Sequence, residues 1–535
     1  MADINPDRRS ILAGLCSLPA LGIAASIGPQ AIAAAVGPQK GGVLTLVQAG
    51  EPPALLSFVN SSSLVFSAKV TEGLLEFDHD MNPQPLLATA WDVAPDGLTF
   101  TFKLREGVNW HDGEEFTSED AAFSISVLKK LHPRGRTTFA QVKAIETPDK
   151  YTLVLRLEKP TPYLLAAMSS AESPIVPKHR YGDADPLVHV NNTAPVGTGP
   201  FVFKEWVRGS HVIWDRNPNY WNKSLPNIDR LVARFIPDPA ARTVAYEVGD
   251  VDLGYRTPVP YRDVERLTKN PKIAIEEKGY AYDPPNIIIL EANLENDYLK
   301  NLKVRQAIAH CLNRETICKV VFFGNAVPSA APVVPYHKDF HDDKPSPYPF
   351  DVTVAAKLLD EAGYARKGSA MRFGLTLDYT TEEQRVLAEF LRAAMGRAGI
   401  GIELRGQDMG TLVKRVYTER AFALHLASIS NLFDPQVGVQ RLYWSKNLIK
   451  GVPFSNGTAY NNPEVDALLE AAAVSLDHAD RIAKWKQIQE IVMRDVPNFP
   501  IAMPSWLTIS QSRVRDHSTN AEGFEGSLAR VYVAT

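Results

Sequence analysis

Asp96-Gly97-Leu98-Thr99-Phe100-Thr101-Phe102-Lys103-Leu104-Arg105-Glu106-Gly107-Val108-Asn109-Trp110-His111-Asp112-Gly113, followed by Phe116-Thr117-Ser118-Glu119-Asp120, sets out a strand, a turn and a helix start in one short run. Leu98, Phe100, Phe102 and Leu104 alternate with Thr99, Thr101, Lys103 and Arg105. A period of two predicts a strand with one buried face. Glu106-Gly107 through Asp112-Gly113 is turn material. Thr117 with Asp120 three residues on is a helix cap, and Glu119 and Asp120 in the first turn complement the helix dipole. The helix is expected to run through Lys130. Residues 151–157 then form another strand, closed by Lys159-Pro160.

Outward from that block, 43–47 reads as a buried strand followed by the Glu51-Pro52-Pro53 turn. Val196-Gly197-Thr198-Gly199-Pro200 is a rigid crossing, with strands at 201–203, 212–214 and 228–236. Asn217-Pro218-Asn219-Tyr220-Trp221 turns between them. A helix over 240–247 stops at Gly249, and a strand starts at Asp250. Beyond Pro284-Pro285, 286–290 is a buried strand. Val304, Ala307, Ile308, Cys311 and Leu312 share one helix face. Asn313 interrupts before a second helix, and 328–349 is a Pro-rich loop. Strand and helix then alternate over 352–362, 372–378, 382–398, 401–404, 411–418 and 421–429, with late helices at 464–474 and 479–494. That alternation predicts α/β layers with crossover connections.

The chain has 535 residues, more than one core organises; at ~100–150 residues per domain, about three are expected. Charged residues are 22%, the formal net charge is −4, and both signs are spread along the chain. With no basic block or acidic tail, nucleic acid and anionic lipid are excluded as partners. Of three cysteines, Cys311 and Cys318 would lie ~10 Å apart along a shared helix, beyond the ~7 Å reach of a disulfide. They are read as small apolar side chains.

The N-terminus is an address. Arg8-Arg9, an apolar run over 11–27 and small residues to Ala35 are the three parts of an export signal. The Arg pair before Ile11-Leu12 resembles a twin-arginine signal. Pro19, Gly22, Gly28 and Pro29 interrupt the run short of the ~20 residues a spanning helix needs. Residues 1–35 are therefore expected to be removed, near Ala33 to Ala35, on export to the periplasm of a Gram-negative cell, with no membrane span in the mature chain. Cys16, inside this segment, has Leu15 where a lipoprotein site wants a small residue.

Catalytic patterns are missing: no phosphate-cradling Gly-x-x-x-x-Gly-Lys loop, no His-Glu-x-x-His and no Gly-x-Ser-x-Gly elbow occur. The twelve histidines are scattered. His337 and His341 with Asp342-Asp343 lie in the Pro-rich loop, where no helix aligns them as ligands. No catalytic residue, metal site or cofactor is assigned.

Four blocks resemble the dipeptide- and oligopeptide-binding family of ABC importers, solute-binding protein family 5. They are 96–120; Gly197-Thr198-Gly199-Pro200-Phe201 with 217–221; Val304-Arg305-Gln306-Ala307-Ile308 with Asn313-Arg314-Glu315; and Asn462-Pro463-Glu464-Val465-Asp466-Ala467-Leu468-Leu469. The resemblance runs from about Lys40 to the C-terminus. It implies an α/β, two-lobed periplasmic binding protein of type II in its extended three-domain form, with a hinge between the lobes. Residues 36–75, 198–285 and 500–535 would form the first lobe, 76–197 a domain inserted in it, and 286–499 the second lobe. Pro284-Pro285 and Val496-Pro497 punctuate the expected crossings. The 96–120 block would be scaffold. A solute, a di- or oligopeptide by this resemblance, would bridge the lobes, and a permease with ATPase subunits would receive it from a monomer without chemistry. A chemosensory adaptor on the same fold is the alternative.

Peptide binders of the family hold the ligand amine with an Asp three residues before an Asp-Pro or Glu-Pro step. Here Asn431 stands in that place within Ser428-Ile429-Ser430-Asn431-Leu432-Phe433-Asp434-Pro435. A buried ammonium without a charged partner is costly. Either Asp408 or Asp434 replaces the missing acid, or the solute lacks a free amine, as an opine or sugar-like compound would. The further expected contacts are Ser63, Leu64 and Val65 in a loop over 61–65 of the first lobe, and Tyr379, Arg385, Arg405, Ser428 and Ile429 of the second. Arg385 or Arg405 would hold a carboxylate bidentately.

Overall fold

Thr99–Leu104 is a strand, with Phe100, Phe102 and Leu104 buried and Lys103 exposed, as its alternation predicts. In the computed structural model, which describes residues 38–344 and 346–534, it is an inner strand of a four-stranded antiparallel sheet. The order is Ala88–Val93, Thr99–Leu104, Thr152–Leu157, Val142–Asp149. Helix Ser118–Leu131 lies on this sheet and buries Ala121, Ile125 and Leu128, three to four residues apart on one face. Its start is held by the Thr117 backbone N–H, which donates to the Asp120 carboxylate at 2.9 Å, one limb of a capping box. The export segment and Cys16 lie outside the described residues.

The turn after Thr99–Leu104 is an anchor. The His111 ring has Nε2 2.9 Å from the Gly199 carbonyl, and its Nδ1 accepts the Gly197 N–H at 3.3 Å. Burial keeps this imidazole neutral down to about 4. Two of the recognised sequence blocks are thus bonded to each other.

A seven-stranded sheet runs Ile273–Glu276, Thr508–Gln511, Leu253–Gly254, Val43–Gln48, Arg230–Phe235, His211–Arg216, Phe201–Val207. Val43–Gln48 pairs in parallel with Arg230–Phe235, and antiparallel hairpins extend the edge. A six-stranded sheet runs Ala326–Pro328, Asn498–Pro504, Ile287–Ala292, Leu424–Ile429, Phe373–Tyr379, Ile400–Gly406. Helices Leu302–His310, Val352–Glu361 and Glu382–Arg397 share one apolar core with that sheet. Cys311 caps the first of these helices and Cys318 lies in the next, Arg314–Val320; both thiols are buried and unbridged. Burial pushes them up, Cys311 to about 12 and Cys318 to about 11.

The chain passes between the two large sheets at 277–286 and again at 505–507. The return crossing falls later than the punctuation at Val496-Pro497 suggests, because Asn498–Pro504 pairs with Ile287–Ala292 along its length. Arg256 ties the crossings together. Its guanidinium sits 4.2 Å over the Trp506 ring, pairs with Asp283 and lies 2.6 Å from Glu525. Among the described residues, no helix is long and apolar enough to cross a membrane.

Candidate functional site

Leu432 and Phe433 follow the second sheet's Leu424–Ile429 strand, yet their side chains join the apolar core of the four-stranded sheet. Phe433 packs on Tyr282 of the first crossing at 5.2 Å. Leu432 of this bridge lines a cleft between the two halves of the fold. Two adjoining cavities fill the cleft, of about 570 and 380 Å³. One wall is Ser61 with the turn after helix Ser118–Leu131, around Pro133, Arg134 and Thr137. The other is Ser430, Leu432, Val437, Arg441 and Phe454. A side cavity of about 210 Å³ opens beside Ser430, Arg441 and Phe454 and is lined also by Ser428, Gln384 and Tyr417.

The Arg134 wall is held by His132, whose ring reaches the Asn60 carbonyl at 3.2 Å and accepts the Gly135 N–H at 3.0 Å. Burial and the neighbouring Arg134 push this imidazole down to about 3, so it stays neutral. Arg134 places Nη2 and Nε 2.6 and 2.7 Å from the buried Glu172 carboxylate. Opposite, Arg441 starts from helix Gln440–Tyr443 and is fixed by backbone acceptors, Gly438 at 3.3 Å and Phe454 at 2.8 Å. Burial draws its pKa below the ordinary guanidinium value; Tyr417 and Glu291 oppose that shift, and Arg134 across the cleft adds to it. At the base of the side cavity Glu291 lies 2.5 Å from His425, both almost fully buried.

The residues expected from the sequence are dispersed around this cleft. The loop expected over 61–65 is shorter, because helix Leu64–Val70 begins inside it. Ser63 precedes that helix with its hydroxyl on the Ala54 carbonyl at 2.7 Å. Leu64 packs at the edge of the four-stranded core, and Val65 belongs to the core of the seven-stranded sheet. Ser61 is the member of that segment that lines the cleft. Tyr379 ends its strand, with its carbonyl accepting the Gln407 N–H at 3.1 Å. Arg385 lies on an outer helix face between Glu382 and Glu389, each at 2.5 Å. Arg405 pairs at 2.6 Å with Asp378, a buried carboxylate that also takes Arg415. Asp408 caps a short exposed helix through the Thr411 N–H at 2.9 Å.

Within 428–434, Ser428 faces the side cavity, whereas Ile429 is core. Asn431 is fully buried, accepts the Val334 N–H at 3.0 Å and donates to the Pro332 carbonyl at 3.2 Å. Asp434 does not stand as a free acid for an amine. Its two oxygens take the Arg481 guanidinium at 2.5 and 2.8 Å, and it caps the following turn. The histidines of the Pro-rich loop lie on carbonyls, His337 on Leu432 at 2.9 Å and His341 on Val333 at 2.7 Å. Among the described residues, no three His, Cys, Asp or Glu converge as a metal set. Arg134 and Arg441 were not legible as site residues, since each is a lone arginine in an irregular segment with no motif around it.

The family model for bacterial extracellular solute-binding proteins, family 5, matches residues 82–450. A Brucella ovis protein, whose name assigns it by inference to peptide binding in an ABC transporter, is 29% identical over 431 residues, 77% of each chain. The glutathione-binding protein GsiB of Pectobacterium atrosepticum is 26% identical over 491 residues, 87% of each. The structure of the ABC transporter-associated periplasmic binding protein DppA from Helicobacter pylori, in complex with the peptide STSA, superposes with a TM-score of 0.79 at 25% identity. That match covers 93% of this chain and 99% of DppA. With a cleft between two sheet-built halves joined by two crossings, and a family match over most of its length, this chain belongs to the bacterial extracellular solute-binding proteins, family 5.

Proposed function

We propose that this protein captures a short peptide in the cleft between its halves and delivers it to the permease of an ABC importer, whose ATPase subunits drive uptake. It works as a monomer in the periplasm of a Gram-negative cell, exported under the 1–35 signal, and makes or breaks no bond in the solute. The observation that carries this reading is the cleft itself, whose two walls come from opposite sides of two chain crossings. A solute touching both walls favours the closed arrangement by the contacts it gains only there. The peptide-bound relative and the glutathione-binding one support the solute class. Arginine, serine and apolar side chains line the cleft, which suits holding rather than chemistry.

Titration with di- to pentapeptides is expected to raise the melting temperature and return every peptide intact by mass spectrometry. At a hundredfold excess over Kd the gain is about 2.7 kcal/mol. No shift with any peptide sinks the peptide reading, and cleavage sinks the binding-only role. Asn431 favours a second reading, a polar solute without a free amine: its amide carries no charge and both its ends are hydrogen-bonded to backbone. A shift with opines or sugars but not with peptides would establish that reading.

A further inference from the structure

Away from the cleft, both crossings meet one buried group of charges. Nη2 of Arg256 takes two carboxylates at once, Asp283 of the first crossing and, at 2.6 Å, Glu525 of the C-terminal turn Gly523–Glu525. The same guanidinium covers the Trp506 ring of the second crossing. The other Asp283 oxygen is buried with no hydrogen-bond partner among the described residues. Glu522, beside the turn, accepts the Ser170 hydroxyl at 3.1 Å. Lys69, fully buried on helix Leu64–Val70, donates to the Phe524 carbonyl at 2.7 Å and to that of Gly526. Three buried carboxylates, Asp283, Glu522 and Glu525, thus share the two cations Arg256 and Lys69. The neighbouring ions are paired among themselves, Glu172 with Arg134 and Glu76 with Arg530. Tyr255, stacked on Phe524, and Tyr280, whose hydroxyl accepts the Arg256 N–H at 2.9 Å, complete the surroundings.

We propose that Glu525 controls how firmly Arg256 holds the crossings, so that closing of the two halves takes up a proton and solute capture strengthens on acidification. This rests on the reading that the halves close over a solute. In the arrangement described they touch: Leu432 and Phe433 of one half lie in the apolar core of the other, and Phe433 packs on Tyr282 of the first crossing. Ionised, Glu525 draws on the same Nη2 as Asp283 and repels that carboxylate. Protonated, it leaves the guanidinium to Asp283, and the first crossing is held where the halves meet. A crossing that swings away takes a like charge from Glu525 and leaves it Arg256 undivided, so the open arrangement releases the proton. The two effects are one linkage seen from either side. Burial, opposed by Arg256 and Lys69 and aided by Asp283 and Glu522, pushes the Glu525 carboxyl up to about 7, which places the change around neutral pH. Burial also draws Lys69 down to about 7, but its hydrogen bonds go to the C-terminal turn and not to a crossing.

Spin labels on the mature protein at Lys130→Cys and Lys450→Cys, exposed positions on opposite sides of the cleft, test this without a solute; Cys311 and Cys318 are buried. The distance between the labels is expected to shorten from pH 8 to pH 6. Glu525→Gln should keep it short at both, and Asp283→Asn, which removes the like charge, should lower the midpoint of the change. By calorimetry, trialanine should bind at least about threefold more tightly at pH 6 than at pH 8, with proton uptake from the buffer at pH 7. In Glu525→Gln both the pH dependence and the uptake should vanish. A label distance that does not respond to pH overturns the switch. A response that survives Glu525→Gln belongs to Lys69 or Glu72 and overturns it too. If Glu525→Gln does not fold, Asp283→Asn decides, and an unmoved midpoint overturns the proposal. Equal trialanine affinity at both pH values overturns the coupling to capture. Trialanine binding at neither pH counts against the peptide reading alone, and the label distances still decide the switch.

Discussion

Glu72 lies fully buried where three parts of the chain meet. Its carboxylate accepts from the Thr198 hydroxyl at 2.8 Å, the Tyr220 hydroxyl at 2.8 Å and the Trp221 indole N–H at 3.1 Å. Thr198, Tyr220 and Trp221 all belong to recognised sequence blocks and are the donors of one buried acceptor. Burial outweighs those bonds and pushes the carboxyl from its ordinary 4.5 up to about 7. The folded state therefore keeps a proton that the unfolded chain has released. This contribution to stability is complete below about pH 4.5 and is lost as pH rises through about 7, a change of about 3 kcal/mol. The melting temperature of the natural protein relative to Glu72→Gln should fall with rising pH across that window and be level outside it. A difference that does not vary with pH between 4 and 8 would contradict the assignment.

At the scale of elements, the short helix Pro435–Gly438 positions the cleft. Asp434 caps it through the Gln436 N–H at 2.8 Å, and Pro435 takes the first turn, where its missing N–H and fixed φ are no handicap. The other end is set by close approach. A Cβ at Gly438 would stand 2.3 Å from the Ser430 carbonyl oxygen and 2.4 Å from that of Asn431. Gly438→Ala must push the 430–431 backbone away from the helix that leads to Arg441. The expected cost is about 1–3 kcal/mol, seen as a lower urea midpoint, with solute affinity weakened as Ser430 and Arg441 separate. Unchanged stability would mean that the two segments are not packed as described.

At the scale of the molecule, the two halves are joined by crossings whose residues are far apart in sequence. Arg256 stands between Asp283 and Glu525 and over Trp506. Thr257 and Tyr261 donate their hydroxyls to the Ser505 carbonyl at 2.8 and 3.0 Å. Arg256 and Thr257 both have φ of 52°, an uncommon left-handed backbone for such side chains. Removing the partly exposed Arg256 would leave the buried Asp283 and Glu525 carboxylates without their partner, which is costly. Arg256→Met should therefore lower the melting temperature by far more than substitution of an exposed ion-paired arginine such as Arg156. Equal effects at the two positions would show that the crossing network contributes little.

Local periodicity determined much of this protein. The helices at Val352–Glu361, Glu382–Arg397 and His478–Asp495 and the strand at Thr99–Leu104 lie within a residue or two of the spans read from apolar spacing. Burial in an element depends on residues two to four apart, so a single sequence contains that information. The Thr117 to Asp120 cap was legible for the same reason. Pairing across the chain was not. Arg481 on Asp434, Arg256 on Glu525 and the facing of Arg134 and Arg441 join residues separated by tens to hundreds of positions. Only the docking of sheets and helices brings their charges within a few ångströms. Which polar groups compensate one another was therefore decided by tertiary structure alone.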